Sequence, residues 1–157
     1  MRKLIPMLLF TLFAAPAFAQ LPNPYGASVN LENARKIAAA AVAEASKSGL
    51  KMAIAIVDTA GDLVYFEKMD GTQVASVNIA LDKARSSVRF KRPTKAMQDV
   101  LAQGGAGVRF LALQGAIPVE GGIPLVMNGQ IVGAVGASGG TSDQDGQVAK
   151  AGADSVK

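Results

Sequence analysis

The dipeptide Asn128-Gly129, set between the apolar runs Ile123 to Met127 and Ile131 to Ala137, constrains the fold of this chain more than any other feature. Both central positions of a type I′ turn need positive φ, and Asn-Gly meets that need cheaply, so the flanking runs predict a β-hairpin. A second hairpin is predicted upstream, where Met52 to Val57 and Leu63 to Phe66 flank the polar loop Asp58-Thr59-Ala60-Gly61-Asp62. Such tight connections imply antiparallel pairing. The run Met52 to Val57 is apolar at every position, which places it in the interior of the sheet.

Helical periodicity fills the rest of the chain. Leu31, Ala34, Ile37, Ala38, Ala41, Val42 and Ala45 recur at spacings of three and four, with Asn30 as N-cap and Gly49 as the stop. Val74, Val77, Leu81, Ala84 and Val88 mark a second helix that must end before Pro93. Thr94 is expected to cap a short third helix over about Lys95 to Leu101, and Ala116 to Val119 to form a short strand after the glycine-rich Gly104, Gly105 and Gly107. A last helix is expected over about Ser142 to Gly152, with Asp143 and Asp145 in its first turn. The order helix, hairpin, two helices, hairpin, helix predicts an α/β (α+β) fold: a central antiparallel sheet flanked by helices, without Rossmann alternation.

The N-terminus reads as an export signal. Arg2 and Lys3 precede an apolar run from Leu4 to Phe13, and small residues follow up to Ala17-Phe18-Ala19. The run is well short of the roughly 20 apolar residues that a membrane-spanning helix needs. Residues 1–19 are therefore expected to be a cleaved signal peptide, 20–30 an extended leader with Pro22, Pro24 and Gly26, and 31–157 one domain. The working protein would be periplasmic or secreted, with no transmembrane segment. Loss of Arg2 and Lys3 lowers the net charge from +4 to about +2, so the high isoelectric point of the whole chain does not point to nucleic acid.

Missing residues restrict the chemistry further. Without Cys there is no disulfide, thiolate nucleophile or cysteine-bound zinc. Without His there is no Ser-His-Asp triad, histidine-bound metal or haem held by a proximal histidine.

Ser138-Gly139-Gly140-Thr141-Ser142 joins a strand to a helix start, where free N–H groups could hold an anion. Asp143 and Asp145 occupy the same turn and would repel one, which favours a capping role. Gly133, Gly136 and Gly139, spaced by threes, mark a bulge or a close approach by a ligand, a neighbouring subunit or a helix. Asp82, Arg85 and Arg89 share a helix face, with Lys91 and Arg92 beyond; guanidinium groups there could bind carboxylate bidentately or form only a solvated face. Met69, Met97, Met127, Tyr25 and Tyr65 could ligate haem iron, although methionine is more often core filler.

Taken in order, Ile56-Val57-Asp58-Thr59-Ala60-Gly61, Glu67-Lys68-Met69-Asp70-Gly71, Lys83-Ala84, Pro93-Thr94, Gly121-Gly122-Ile123-Pro124, Gly133 to Gly140 and Asp145 resemble the GlcG/HbpS-like family, which is related to the C-terminal domain of PduO-type proteins. The resemblance implies a profilin-like fold, homo-oligomers, and haem or a related tetrapyrrole as ligand. Thr72 departs from the small residue expected after Asp-Gly, and a haem site built on His does not carry over. Arg85, Arg89, Arg92, Gly121, Gly122, Gly139 and Gly140 are the expected ligand-binding residues. Two other readings stand beside this one. The first is a small enzyme that acts on an organic acid or degrades haem, with Asp58, Asp70 or Asp145 as general base; the second is a structural assembly partner.

Overall fold

The computed structural model describes residues 22–156, so the expected signal peptide lies outside the described residues. The elements are α1 (Leu31–Lys47), β1 (Ala53–Val57), β2 (Leu63–Lys68), α2 (Ser76–Phe90), α3 (Thr94–Ala102), β3 (Gly122–Met127), β4 (Gln130–Ser138) and α4 (Ser142–Asp154), with a 3-10 segment over Gly105–Ala112. The four strands form one antiparallel sheet in the order β2-β1-β4-β3. Among the described residues, no helix is long and apolar enough to cross a membrane.

Both predicted hairpins form. Asn128 and Gly129 take φ of 50° and 74°, as a type I′ turn demands. β1 is central and wholly buried because both faces of the sheet are covered. Ile54, Ile56, Val135 and Ala137 pack with the small-residue face of α1 and with Val148 and Ala149 of α4. Ala53, Ala55, Val57 and Ala134 point the other way, onto Ala80, Ala84 and Val88 of α2. The period of two in the strands thus sorts one continuous apolar run into two cores.

Gly136 lies on the α2 side, and a Cβ there would stand 2.0 Å from the Ala80 carbonyl oxygen. Of the approaches considered for the spaced glycines, a crossing helix is the one found at Gly136. Gly133 and Gly139 are instead pressed against the backbone carbonyls of Val57 and Lys51.

Two sequence expectations need correction. Thr94 is the first residue of α3 and makes no capping bond; its hydroxyl oxygen accepts the Gly122 N–H at 2.9 Å and so ties α3 to β3. Ala116 to Val119 is not a strand. The Ala116 and Val119 N–H groups close local turns, the Ile117 N–H goes to Ser86 Oγ, and Pro118 has no N–H to give, so no ladder can form.

The described part of the leader is extended and docked. The Gly26 N–H donates to the Ile131 carbonyl oxygen of β4, the Ile131 N–H donates to the Pro24 carbonyl oxygen, and the Val29 N–H reaches the Val132 carbonyl oxygen. Val29 itself is buried in the core on the α1 side.

Candidate functional site

A lysine on the buried face of a helix is the least expected feature of the molecule. Lys83 follows Ala80 by three residues and precedes Ser87 by four, so the periodicity that buries those residues against the sheet buries it too. Only 1% of its side chain is exposed. Its ammonium donates to Asp145 Oδ2 at 2.6 Å and to the Ala137 carbonyl oxygen at 3.3 Å.

Asp145 arrives from the first turn of α4. Thr141 caps that helix in a capping box with Gln144, which frees Asp145 for other partners. Its Oδ1 accepts the Gly140 N–H at 2.9 Å. Burial pushes its carboxyl above the ordinary aspartate range, against the Lys83 ammonium and the Gly140 N–H, which both favour the charged form.

Gly121 makes room for this pair. With φ of +128° it adopts a conformation that side-chain-bearing residues rarely take, and a Cβ would lie 2.9 Å from both Lys83 Nζ and Asp145 Cβ. On its other side, Gly121 and Gly122 form the floor of a cleft of about 390 Å³. Pro93 and Lys95 at the start of α3, Glu120 and Ile123 around the glycine pair, and Asp143 and Lys150 of α4 line the rest. The ion pair therefore sits one backbone layer behind the cleft.

The structure divides the expected ligand residues among four places. Gly121 and Gly122 line the cleft, and Gly140 touches the ion pair through its N–H. Gly139 packs on the Lys51 carbonyl. Arg85 and Arg89 converge on Gly61 of the β1–β2 turn: Arg85 Nε donates to the Gly61 carbonyl oxygen at 3.1 Å, and Arg89 also lies against Gly115. Neither has a carboxylate within 4.0 Å among the described residues. Arg92 lies beyond the end of α2, where its Nε donates to the Phe90 carbonyl oxygen.

The other candidates are mostly engaged. Met97 is fully buried, and Met69 and Met127 are half-buried against the core. The Tyr25 hydroxyl donates to the Val88 carbonyl oxygen and its ring carries the Lys91 ammonium at 4.2 Å, while the Tyr65 hydroxyl donates to Glu67. Asp58 accepts the N–H groups of Ala60 and Asp62 and so builds its own turn; Asp70 is exposed. Among the described residues no group of three or more His, Cys, Asp or Glu is gathered to hold a metal ion.

Sequence reasoning noticed Lys83 only as part of a motif and passed over Glu120, Lys95 and Lys150. The available signal for Lys83 was a charge at a core position of an otherwise small and apolar helix face. No comparable signal marks the other three, which the packing of α3, α4 and β3 brings together.

The family described as "Haem degrading protein HbpS-like" matches residues 29–154. GlcG of Escherichia coli is 38% identical over 105 residues, which cover 67% of this chain and 77% of that protein. A double mutant of HbpS from Streptomyces reticuli superposes with a TM-score of 0.77 at 32% identity, over 92% of this chain and 98% of that one. PduOC, solved as a haem complex, superposes at 0.75 with 25% identity over 83% and 96%. With the family matched across the whole sheet and its helices, and strands in the order β2-β1-β4-β3, this chain belongs to the HbpS-like family.

Proposed function

We propose that this protein is an exported, oligomeric binding protein for haem or a related tetrapyrrole. The observation that carries the reading is the convergence of Arg85 and Arg89, two guanidinium groups without carboxylate partners, in a chain whose relatives include a protein solved with haem. Paired guanidiniums suit the carboxylates of a tetrapyrrole, because each can donate two parallel hydrogen bonds. Arg85 and Arg89 would hold the propionates of a haem. On the iron side the sequence offers no His or Cys, which leaves thioether, phenol, amine or carboxylate donors; among the described residues Met69 and Met127 are the half-buried thioethers. When bound, haem would supply a redox-active iron whose spectrum and potential depend on that donor. The enzymatic reading has less support, since Asp58 is spent on its turn and Asp145 is held by Lys83.

Haemin titration tests the proposal. A saturating Soret change at a defined stoichiometry is expected, and Arg85→Ala with Arg89→Ala should weaken it about tenfold to a hundredfold, the equivalent of roughly 1.5–3 kcal/mol for a lost charge-assisted contact. Unchanged affinity in a folded double variant would show that the arginines are only a solvated helix face.

Self-association has its own support. Val108, Leu111, Leu113 and Val119 are exposed in one stretch of chain, with Leu111 at 70%. Exposed apolar surface of this kind favours contact with another protein surface, and closed symmetry is the default for identical copies. Light scattering at micromolar concentration should report an oligomer, and Leu111→Asp should shift the mass downward. A monomer mass for the parent protein contradicts this part of the proposal.

Export rests on the sequence of residues 1–19. The intact mass of protein recovered from the periplasm or medium should correspond to a chain that starts at Gln20; a product that keeps Met1 rules cleavage out.

A further inference from the structure

The cleft in front of Gly121 carries charges that the ion pair behind it does not use. Glu120 Oε2 is buried and accepts no hydrogen bond from any described residue. The residue is nevertheless held in place. The Glu120 N–H donates to Gln98 Oε1 at 2.7 Å, and Oε1 sits over Gly146, where a Cβ would stand only 2.1 Å away.

The nearest cation is Lys95, whose ammonium is 3.6 Å from Oε2, beyond hydrogen-bond length, and donates instead to Asp99 at 2.9 Å. Lys150, the other lysine of the cleft, is paired with Asp154. Asp143 has no ion pair within 4.0 Å among the described residues. Among the described residues the cleft thus presents two carboxylates without a hydrogen-bonded cation: Asp143 has no ion pair, and Glu120 has only the Lys95 ammonium at ion-pair distance, with no hydrogen bond to Oε2.

A buried carboxylate oxygen without a donor is costly, and native structures rarely leave one without a reason. Two carboxylates are fewer than the oxygen ligands a divalent ion gathers, and no third joins them among the described residues. The walls supplied by Pro93, Ile123 and the Gly121-Gly122 floor are apolar.

We propose that this cleft binds a small organic cation, an apolar body bearing a primary ammonium or amidinium group, whose N–H donates to Glu120 Oε2. Lys95 is the place-holder. Its ammonium, already bonded to Asp99, stands 3.6 Å from Oε2 and competes for that oxygen without hydrogen-bonding to it, so the ligand's N–H would take the position that Lys95 approaches but does not fill. This inference is independent of the haem reading, which concerns Arg85 and Arg89 on another part of the surface.

The test is titration of the exported protein with benzylammonium, followed by backbone amide shifts, with benzyl alcohol and benzoate as shape-matched probes. Saturable shifts at Gly121, Gly122 and Gly146 are expected with the amine. Glu120→Gln should weaken binding about tenfold or more through loss of a charge-assisted bond. Lys95→Ala should tighten it, since a competing cation is gone; this second variant leaves Glu120 intact and decides the matter if Glu120→Gln does not fold. Equal binding of the alcohol or benzoate, unchanged affinity in a folded Glu120→Gln, weaker binding in Lys95→Ala, or shifts confined to other parts of the protein would each overturn the proposal.

Discussion

Asp145→Ala is expected to lower stability by about 3–5 kcal/mol, the usual cost of removing one partner of a buried ion pair. The variant strands the Lys83 ammonium, 1% exposed, with only the Ala137 carbonyl oxygen at 3.3 Å as acceptor. It also leaves the Gly140 N–H without its carboxylate. That penalty is a large share of the roughly 5–15 kcal/mol that holds a domain together. Urea unfolding should show the loss as a lower midpoint at an unchanged slope. Adding Lys83→Met to Asp145→Asn should recover much of the stability, because the buried charge disappears while an acceptor for Gly140 remains. If Asp145→Ala costs less than about 1 kcal/mol, the pair is not buried as described.

Gly136→Ala is expected to cost about 3 kcal/mol, the upper end of the range for overpacking a tight interior. The added methyl would stand 2.0 Å from the Ala80 carbonyl oxygen and 2.7 Å from the Ala84 nitrogen, both backbone atoms of α2. Neither can turn aside as a flexible side chain would. Relief requires α2 to lift from the sheet, which loosens Ala80, Ala84 and Val88 together. Gly129→Ala is the informative control: its Cβ would meet nothing within 4 Å, so only the positive φ of 74° opposes it, and a smaller loss is expected. Thermal unfolding of the two variants side by side separates collision from turn strain. Equal losses at both positions would mean that α2 does not press on β4 at Gly136.

The architecture was legible because local pattern and global packing agree. Asn128-Gly129 specified its turn through backbone sterics alone, and Asn30 caps α1 with its side chain as expected. The even burial of β1 was foreseeable from an apolar run without alternation. One failure came where a polar group had two uses, the other where a segment had no strand beside it. Thr94 had the right chemistry for a cap and was claimed instead by the Gly122 N–H of β3. Ala116 to Val119 had strand-like composition but no neighbouring strand to receive its bonds.

The candidate sites were legible only in part. A helix period could place Arg85 and Arg89 on one face, but that they meet at Gly61 depends on where the β1–β2 turn lies. Asp145 was visible as a first-turn carboxylate, and its partner is 62 residues away on another helix. By itself the sequence determined the helices, the hairpins and the antiparallel sheet, because turn sterics and hydrophobic period act within a few residues. The meeting of Lys83 with Asp145 behind Gly121, and of Glu120 with the cleft in front of it, was decided by tertiary structure alone, because electrostatics depends on distance and burial, and neither quantity exists until distant segments have packed.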